Sequence, residues 1–276
     1  MDIILRKSID QELSMSIKER ILFILEGDKS ERNVVSSLQK CLFPEGTFIE
    51  CVFDAEIYQL YQKLKDDDFA TDIVELLRSR TKENEEVLRP YTRDSFAYTY
   101  LFFDYDAHST LADDKKLCEL LEFFDNETEQ GKLFVSYPMI EALRHFRDLE
   151  SFRTLAVRCK GQNCPNTLCE ERGDCLARPH YKTIVPTENK PRLNNLHYDN
   201  KVWKELTVAH LNKMNELVYE SFSFPTNVPS QKDVFDKQME KYILKDCPHV
   251  SVLSAIPPFT LDYYVCNTLL KKLSQI

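Results

Sequence analysis

Two short apolar runs that stop abruptly in carboxylates constrain this chain more than any other feature. The first is Ile21-Leu22-Phe23-Ile24-Leu25, followed by Glu26-Gly27-Asp28, and the second is Tyr100-Leu101-Phe102-Phe103, followed by Asp104-Tyr105-Asp106. A strand buried on both faces reads as a continuous apolar run. In an open α/β sheet, ligands sit just beyond the carboxyl ends of such strands, so the acids are expected to converge on one crevice. Asp104 and Asp106 are two apart, and an extended backbone would point both to the same face. Carboxylates ~4 Å apart repel by about 1 kcal/mol in water and about 4 kcal/mol at an effective dielectric of 20. A cation offsets that cost, and hard oxygen ligands at a half-open site suit Mg²⁺ or Mn²⁺. The pattern predicts metal-dependent phosphate chemistry.

The first 150 residues alternate strand and helix patterns, the signature of an α/β fold with a mainly parallel sheet flanked by helices. Strands are expected at Ile21–Leu25, Thr47–Phe53, Phe96–Phe103 and Lys132–Val135. Helices are expected at Ser30–Leu42, where Val34, Val35, Leu38 and Leu42 share one side, and at Ala55–Leu64, Asp72 to about Leu88, and Leu111–Phe124. Pro138 is expected to open a further helix at its first turn. After Arg147 the character changes. A Cys-rich loop (Cys159–Pro179) and a polar, proline-punctuated stretch (Thr183–Asn195) precede helical periods at Val202–Phe222 and at about 231–245 and 259–274. The expected organisation is a catalytic α/β unit over 1–150, a zinc-binding and basic segment over 151–200, and a helical C-terminal region over 201–276 that packs on the α/β core.

The chain has 276 residues, 43% hydrophobic and 29% charged, a composition typical of globular proteins. No run approaches the ~18 apolar residues of a membrane span. Residues 1–20 carry acids and bases without an apolar secretory core. The expectation is a cytoplasmic chain without a membrane partner. Its five glycines (Gly27, Gly46, Gly131, Gly161, Gly173) form neither a GxxxxGK[ST] loop nor a GxGxxG fingerprint. If ATP controls this protein, another chain must bind it. The net charge of −9 argues against nonspecific coating of nucleic acid. From Ser151 to Lys213, however, 11 Lys/Arg stand against 6 Asp/Glu. That segment is either an ordinary mixed surface or a basic face for a polynucleotide.

The acidic motifs resemble those of a known family. Strand–Glu-Gly followed by strand–Asp-x-Asp is similar to the TOPRIM domain of topoisomerases, DnaG-type primases and OLD-type nucleases, over roughly residues 18–147. Leu25-Glu26-Gly27-Asp28-Lys29-Ser30-Glu31 resembles the EGxxxE opening of stand-alone TOPRIM effectors in bacterial defence. Ser136-Tyr137-Pro138-Met139-Ile140-Glu141 resembles their (S/N)xPxxE element. Within that group the chain most resembles AriB-type effectors of the PARIS anti-phage system. The small size, the Cys-rich insert and Leu253-Ser254-Ala255-Ile256-Pro257-Pro258-Phe259 fit them. The resemblance implies a Rossmann-like TOPRIM fold and a toxic endoribonuclease acting on transfer RNA. It also implies control by a separate ABC-type ATPase. A homodimer is expected, since a compact site of this kind needs a second surface to cradle a long substrate.

The expected roles follow residue chemistry. Asp104 and Asp106 would hold Mg²⁺. Glu26 would complete the metal site or act as general acid or base. Glu141 is a second-metal ligand or a helix-surface glutamate. Lys29, His108, His180 and Lys182 are candidate substrate contacts, with Tyr181 offering a stacking face between the last two. Trp203 reads as core. Cys159, Cys164, Cys169 and Cys175 fall within seventeen residues and would fill a structural, tetrahedral Zn²⁺ site, although their spacing is wider than a standard finger. Cys41, Cys51, Cys118, Cys247 and Cys266 read as core thiols. Three other readings stay open: a DNA nuclease of OLD type, a non-catalytic zinc-stabilised nucleic-acid-binding or regulatory subunit, and a glycosyltransferase using its own DxD. The last has no place for the Tyr-Pro-x-x-Glu element.

Overall fold

Parallel pairing of the apolar runs builds the centre of the molecule, in a computed structural model that describes residues 20–27, 29–43, 48–170, 173 and 180–275. Strand β1 (Ile21–Leu25) lies between β2 (Phe48–Val52) and β3 (Tyr98–Asp104), parallel to both. A short β4 (Asp125–Asn126) is antiparallel to β5 (Gly131–Ser136), which is parallel to β3. The order is β2-β1-β3-β5-β4. Every residue of β1 is buried, as its unbroken apolar run requires. The register sets Leu25 opposite Val52 and Phe102, and Asp104 opposite Ser136, so the carboxyl ends of the strands meet at one edge. Gly131 has a φ of +118°, and a Cβ there would meet Leu101 Cδ1 at 2.8 Å, so the start of β5 admits only glycine.

Helix α1 (Lys29–Leu42) carries the chain from β1 to β2 with Val34, Val35, Leu38 and Leu42 buried, the side its periodicity predicts. Next come α2 (Ile57–Lys65), α3 (Ile73–Arg78) and α4 (Lys82–Leu88), then α5 (Asp114–Phe123) after β3. The single helix expected from Asp72 to Leu88 is therefore two. Asp72 caps α3 by accepting from the Val74 and Glu75 amides, and Thr81 caps α4 by accepting from Asn84. Asn84 is buried by the break. It accepts from Val52 N–H at 3.2 Å and donates to Val52 O at 2.8 Å and Leu77 O at 3.1 Å.

Pro138 does not begin a helix. Tyr137 exchanges both backbone hydrogen bonds with Leu253, at 2.7 and 3.0 Å, which prolongs the extended chain beyond β5. The Tyr137–Pro138 bond is cis, and a 3₁₀ turn follows at Ile140–Arg144. Helix α6 (Leu149–Thr154) leads to β6 (Ala156–Arg158), antiparallel to β7 (His249–Ser251). Then come α7 (Tyr181–Glu188), α8 (Asn200–Tyr219) and α9 (Gln231–Gln238), which runs into a π-helical turn at Met239–Ile243. The helical stretch expected at 259–274 is divided into α10 (Ile256–Tyr264) and α11 (Cys266–Gln275), with Val265 at φ +52° between them.

The C-terminal helices cover one face of the sheet. The Phe259 ring lies 5.0 Å from Phe23, 4.7 Å from Tyr100 and 5.4 Å from Phe102, all on that face. Trp203 is fully buried and its indole donates to Ser37 Oγ at 3.0 Å, which ties α8 to α1. Of the five thiols read as core, only Cys51 is buried; Cys41, Cys118, Cys247 and Cys266 are half-buried. Among the described residues, no helix is long and apolar enough to cross a membrane.

Candidate functional site

The candidate carboxylates are placed by the ends of three parallel strands, Glu26 by β1, Asp104 and Asp106 by β3, and Glu141 by the turn after β5. Glu26 follows β1, where its N–H bonds Phe102 O at 3.1 Å and its own carbonyl accepts from Asp54 N–H at 3.0 Å. Its side chain crosses to β3, and Oε2 accepts the Asp104 N–H at 2.8 Å. Asp104 ends β3 and is only 7% exposed. The chain then bends. Asp106 takes a left-handed conformation, φ +46°, so the Asp-x-Asp segment is not extended throughout as its spacing suggested. Asp106 is held in that turn by its N–H to Pro138 O at 3.3 Å and by Ser109 N–H to its carbonyl at 2.9 Å. Asp and Asn tolerate this region better than other residues with a Cβ.

Glu141 sits in the 3₁₀ turn after β5 and is 7% exposed, which removes the reading of it as a helix-surface glutamate. Its Oε1 is 3.9 Å from Arg144 Nη2, and its buried Oε2 has no hydrogen-bond partner among the described residues. Glu31, in the first turn of α1, completes the acidic group. A Cβ on Gly27 would lie 3.2 Å from both Glu31 carboxylate oxygens, so the glycine leaves room for that carboxylate. Glu31 was part of the Glu-Gly-x-x-x-Glu pattern, yet only the packing marks it as a member of the site.

The electrostatics are those of crowded acids short of positive charge. Burial pushes the Glu26 carboxyl up to about 8; the Asp104 amide opposes this, and the Asp106 and Glu31 charges add to it. Asp104 is held well above the usual carboxylate range by burial, then by Glu26, Glu31, Asp106 and Glu141. Burial also raises Glu31, with Glu141 adding to it, and raises Asp106, against the pull of His108. The Lys182 ammonium lowers Glu26, Glu31 and Asp106 alike. Several carboxylates that act on one another, with a buried oxygen of Glu141 that no described residue satisfies, fit a bound divalent cation by donor chemistry. As they stand, no three metal-binding side chains among the described residues converge into a ready ligand set.

The sequence candidates for substrate contact separate into two groups. His108 stands on the rim, with Nε2 3.4 Å from Asp106 Oδ1 and its ring 6.3 Å from His180. His180 and Lys182 flank Tyr181 at the start of α7; the His180 ring lies by His108, and the Lys182 charge is felt by Glu26 and Asp106. Lys29 is exposed at the first residue of α1, and no ion pair joins it to a carboxylate among the described residues. Tyr181 is not the open stacking face its neighbours suggested. Its hydroxyl bonds His145 Nδ1 at 2.9 Å, and the two rings meet edge-on at 5.3 Å. No local pattern marks His145; it is reached only through the turn that places Glu141, whose carbonyl accepts the His145 N–H at 3.1 Å.

The Cys-rich loop packs against the same rim. Lys160 pairs with Asp114, and the Asn163 amide donates to Ser109 O. The loop also lies along the chain before β7, through Cys159 N–H to Pro248 O and Asn166 Nδ2 to Asp246 O, both at 3.0 Å. Cys159 is buried, Cys164 and Cys169 are half-buried, and Cys175 lies outside the described residues. Comparison with models of protein families, with curated proteins and with solved structures gave no match to this chain.

Proposed function

We infer that this chain is a Mg²⁺-dependent nuclease of the TOPRIM kind that hydrolyses phosphodiesters in RNA. The observation that carries this reading is the meeting of Glu26, Asp104 and Glu141 with Glu31 and Asp106 at the carboxyl edge of a parallel sheet, with Lys182 as a nearby cation. Asp104 and Asp106 would hold the metal, with Glu141 supplying the buried Oε2 that no described residue satisfies. The metal, when bound, neutralises charge that builds on the scissile phosphate. Glu26 gives Oε2 to the Asp104 amide, so its other oxygen is the one left to bind metal or to hold and move a proton. His108 stands beside Asp106 with His180 next to it, and with Lys182 they are the groups that would meet a phosphate backbone.

The likeness to AriB-type effectors extends this reading to transfer RNA as substrate, to a separate ABC-type ATPase as controller, to an anti-phage role and to an active homodimer. With no phosphate loop in the sequence, any control by ATP would fall to another chain. The spacing of the four cysteines in the sequence supports a structural Zn²⁺, testable by metal analysis of the purified chain.

The deciding experiment incubates wild-type and Glu26→Ala protein with total transfer RNA and a DNA duplex, in Mg²⁺ or EDTA. Wild type is expected to cleave the RNA in Mg²⁺ alone, with activity down at least about 10²-fold in the variant, the scale set by loss of one general acid–base group. Cleavage of DNA only would turn the reading to an OLD-type nuclease. Cleavage that persists in Glu26→Ala would remove the site proposed here.

A further inference from the structure

Three side chains outside the acidic group form a connected line beside it. The Tyr181 hydroxyl meets His145 Nδ1 at 2.9 Å, and His145 Nε2 meets Glu188 Oε2 at 3.0 Å. A neutral imidazole facing a carboxylate at Nε2 carries its proton there, so Nδ1 is the acceptor and the Tyr181 hydroxyl is the donor. His145 is 3% exposed, and burial disfavours its charged form, in keeping with that tautomer. The line begins and ends on α7, since Tyr181 and Glu188 are its first and last residues. His145 thus grips the helix at both ends from the turn that carries Glu141. The second residue of that helix is Lys182.

We propose that His145 is a positioning residue of the crevice, acting through Tyr181 and Glu188 to hold the first turn of α7 so that the Lys182 ammonium stands over the carboxylates as a subsite for a substrate phosphate. The proposal rests on the phosphodiester reading above. The Tyr181 hydroxyl bonds His145, whose own N–H donates to the Glu141 carbonyl at 3.1 Å, so the start of α7 lies against the turn that carries Glu141, and the phenol feels the Glu141 charge. The Lys182 charge is felt by Glu26, Glu31 and Asp106. A flexible lysine on an unfixed turn would spend its affinity on being ordered; a lysine on a clamped turn would not.

The test measures binding of a labelled transfer-RNA transcript to the full chain by fluorescence anisotropy, with Ca²⁺ replacing Mg²⁺, over a series of KCl concentrations. Lys182→Met and Tyr181→Phe are each expected to weaken binding about tenfold and to lower the slope of log K on log salt by roughly 0.7–0.9, the share of one phosphate contact. The double variant should bind no more weakly than Lys182→Met alone, because both changes remove one ammonium's contact. Glu188→Gln keeps an acceptor for the His145 N–H and should stay near wild type, whereas Glu188→Ala should follow Tyr181→Phe. Multiplying losses in the double variant, or an unchanged salt slope in Tyr181→Phe, would overturn the proposal. So would an unchanged Kd in Lys182→Met, or a wild type without salt-dependent binding. The nuclease reading is judged separately, by cleavage in Glu26→Ala.

Discussion

Glu26 is the residue where fold and chemistry pull hardest against each other. An ordinary glutamate ionises near 4.5, and burial moves Glu26 to about 8. Between those values the folded chain holds a proton that the unfolded chain has released. The stability linked to this group is therefore full below about pH 4.5 and is lost as pH rises through about 8. Asp104, also raised, contributes with the same sign. Glu26→Gln, which cannot ionise, is expected to raise Tm in EDTA at about pH 8.5 but not at about pH 5, by about 2–4 °C. Added Mg²⁺ should shrink the gap, because the wild type offers the cation one carboxylate more than the variant does. An equal shift at both pH values would mean that Glu26 does not titrate between them. Glu26, Asp104 and Asp106 were legible in the sequence because each stands where an apolar run stops. Glu31 was not, since its place depends on the space that Gly27 leaves.

At the scale of elements, strands read better than the connections between them. β1 and β3 are continuous apolar runs whose burial needs no knowledge of neighbours. The divided 72–88 stretch shows the opposite. Its apolar spacing suits one helix, but Asn84 is drawn inward to serve the β2 backbone, and caps at Asp72 and Thr81 set the break. Replacing Asn84 by alanine removes three hydrogen bonds and strands the Val52 N–H inside the protein. We expect a loss of about 2–3 kcal/mol, seen as a lower urea midpoint with an unchanged m value. An effect below about 0.5 kcal/mol would mean that water reaches the β2 edge. The 3₁₀ turn after β5 was hidden for a similar reason. Tyr137 is kept extended by Leu253, a partner far along the chain.

Across the whole molecule, Phe259 joins the C-terminal helices to the sheet. Its ring meets Phe23, Tyr100 and Phe102 within 5.4 Å, and Lys132 pairs with Asp262 at 2.5 Å one helical turn on. Phe259→Ala is expected to cost about 3–5 kcal/mol, measured by equilibrium unfolding. A loss near 1 kcal/mol would instead indicate that the neighbouring rings collapse into the space.

The sequence by itself determined the strands and the acids that follow them, because both depend on burial and spacing within a few residues. The tertiary structure alone decided that Glu141 would be buried, that Asp106 would turn left-handed, and that His145 would clamp a helix beginning 36 residues later. Those outcomes come from contacts between distant segments, and a pattern of neighbouring residues carries no record of which distant segment will supply the partner.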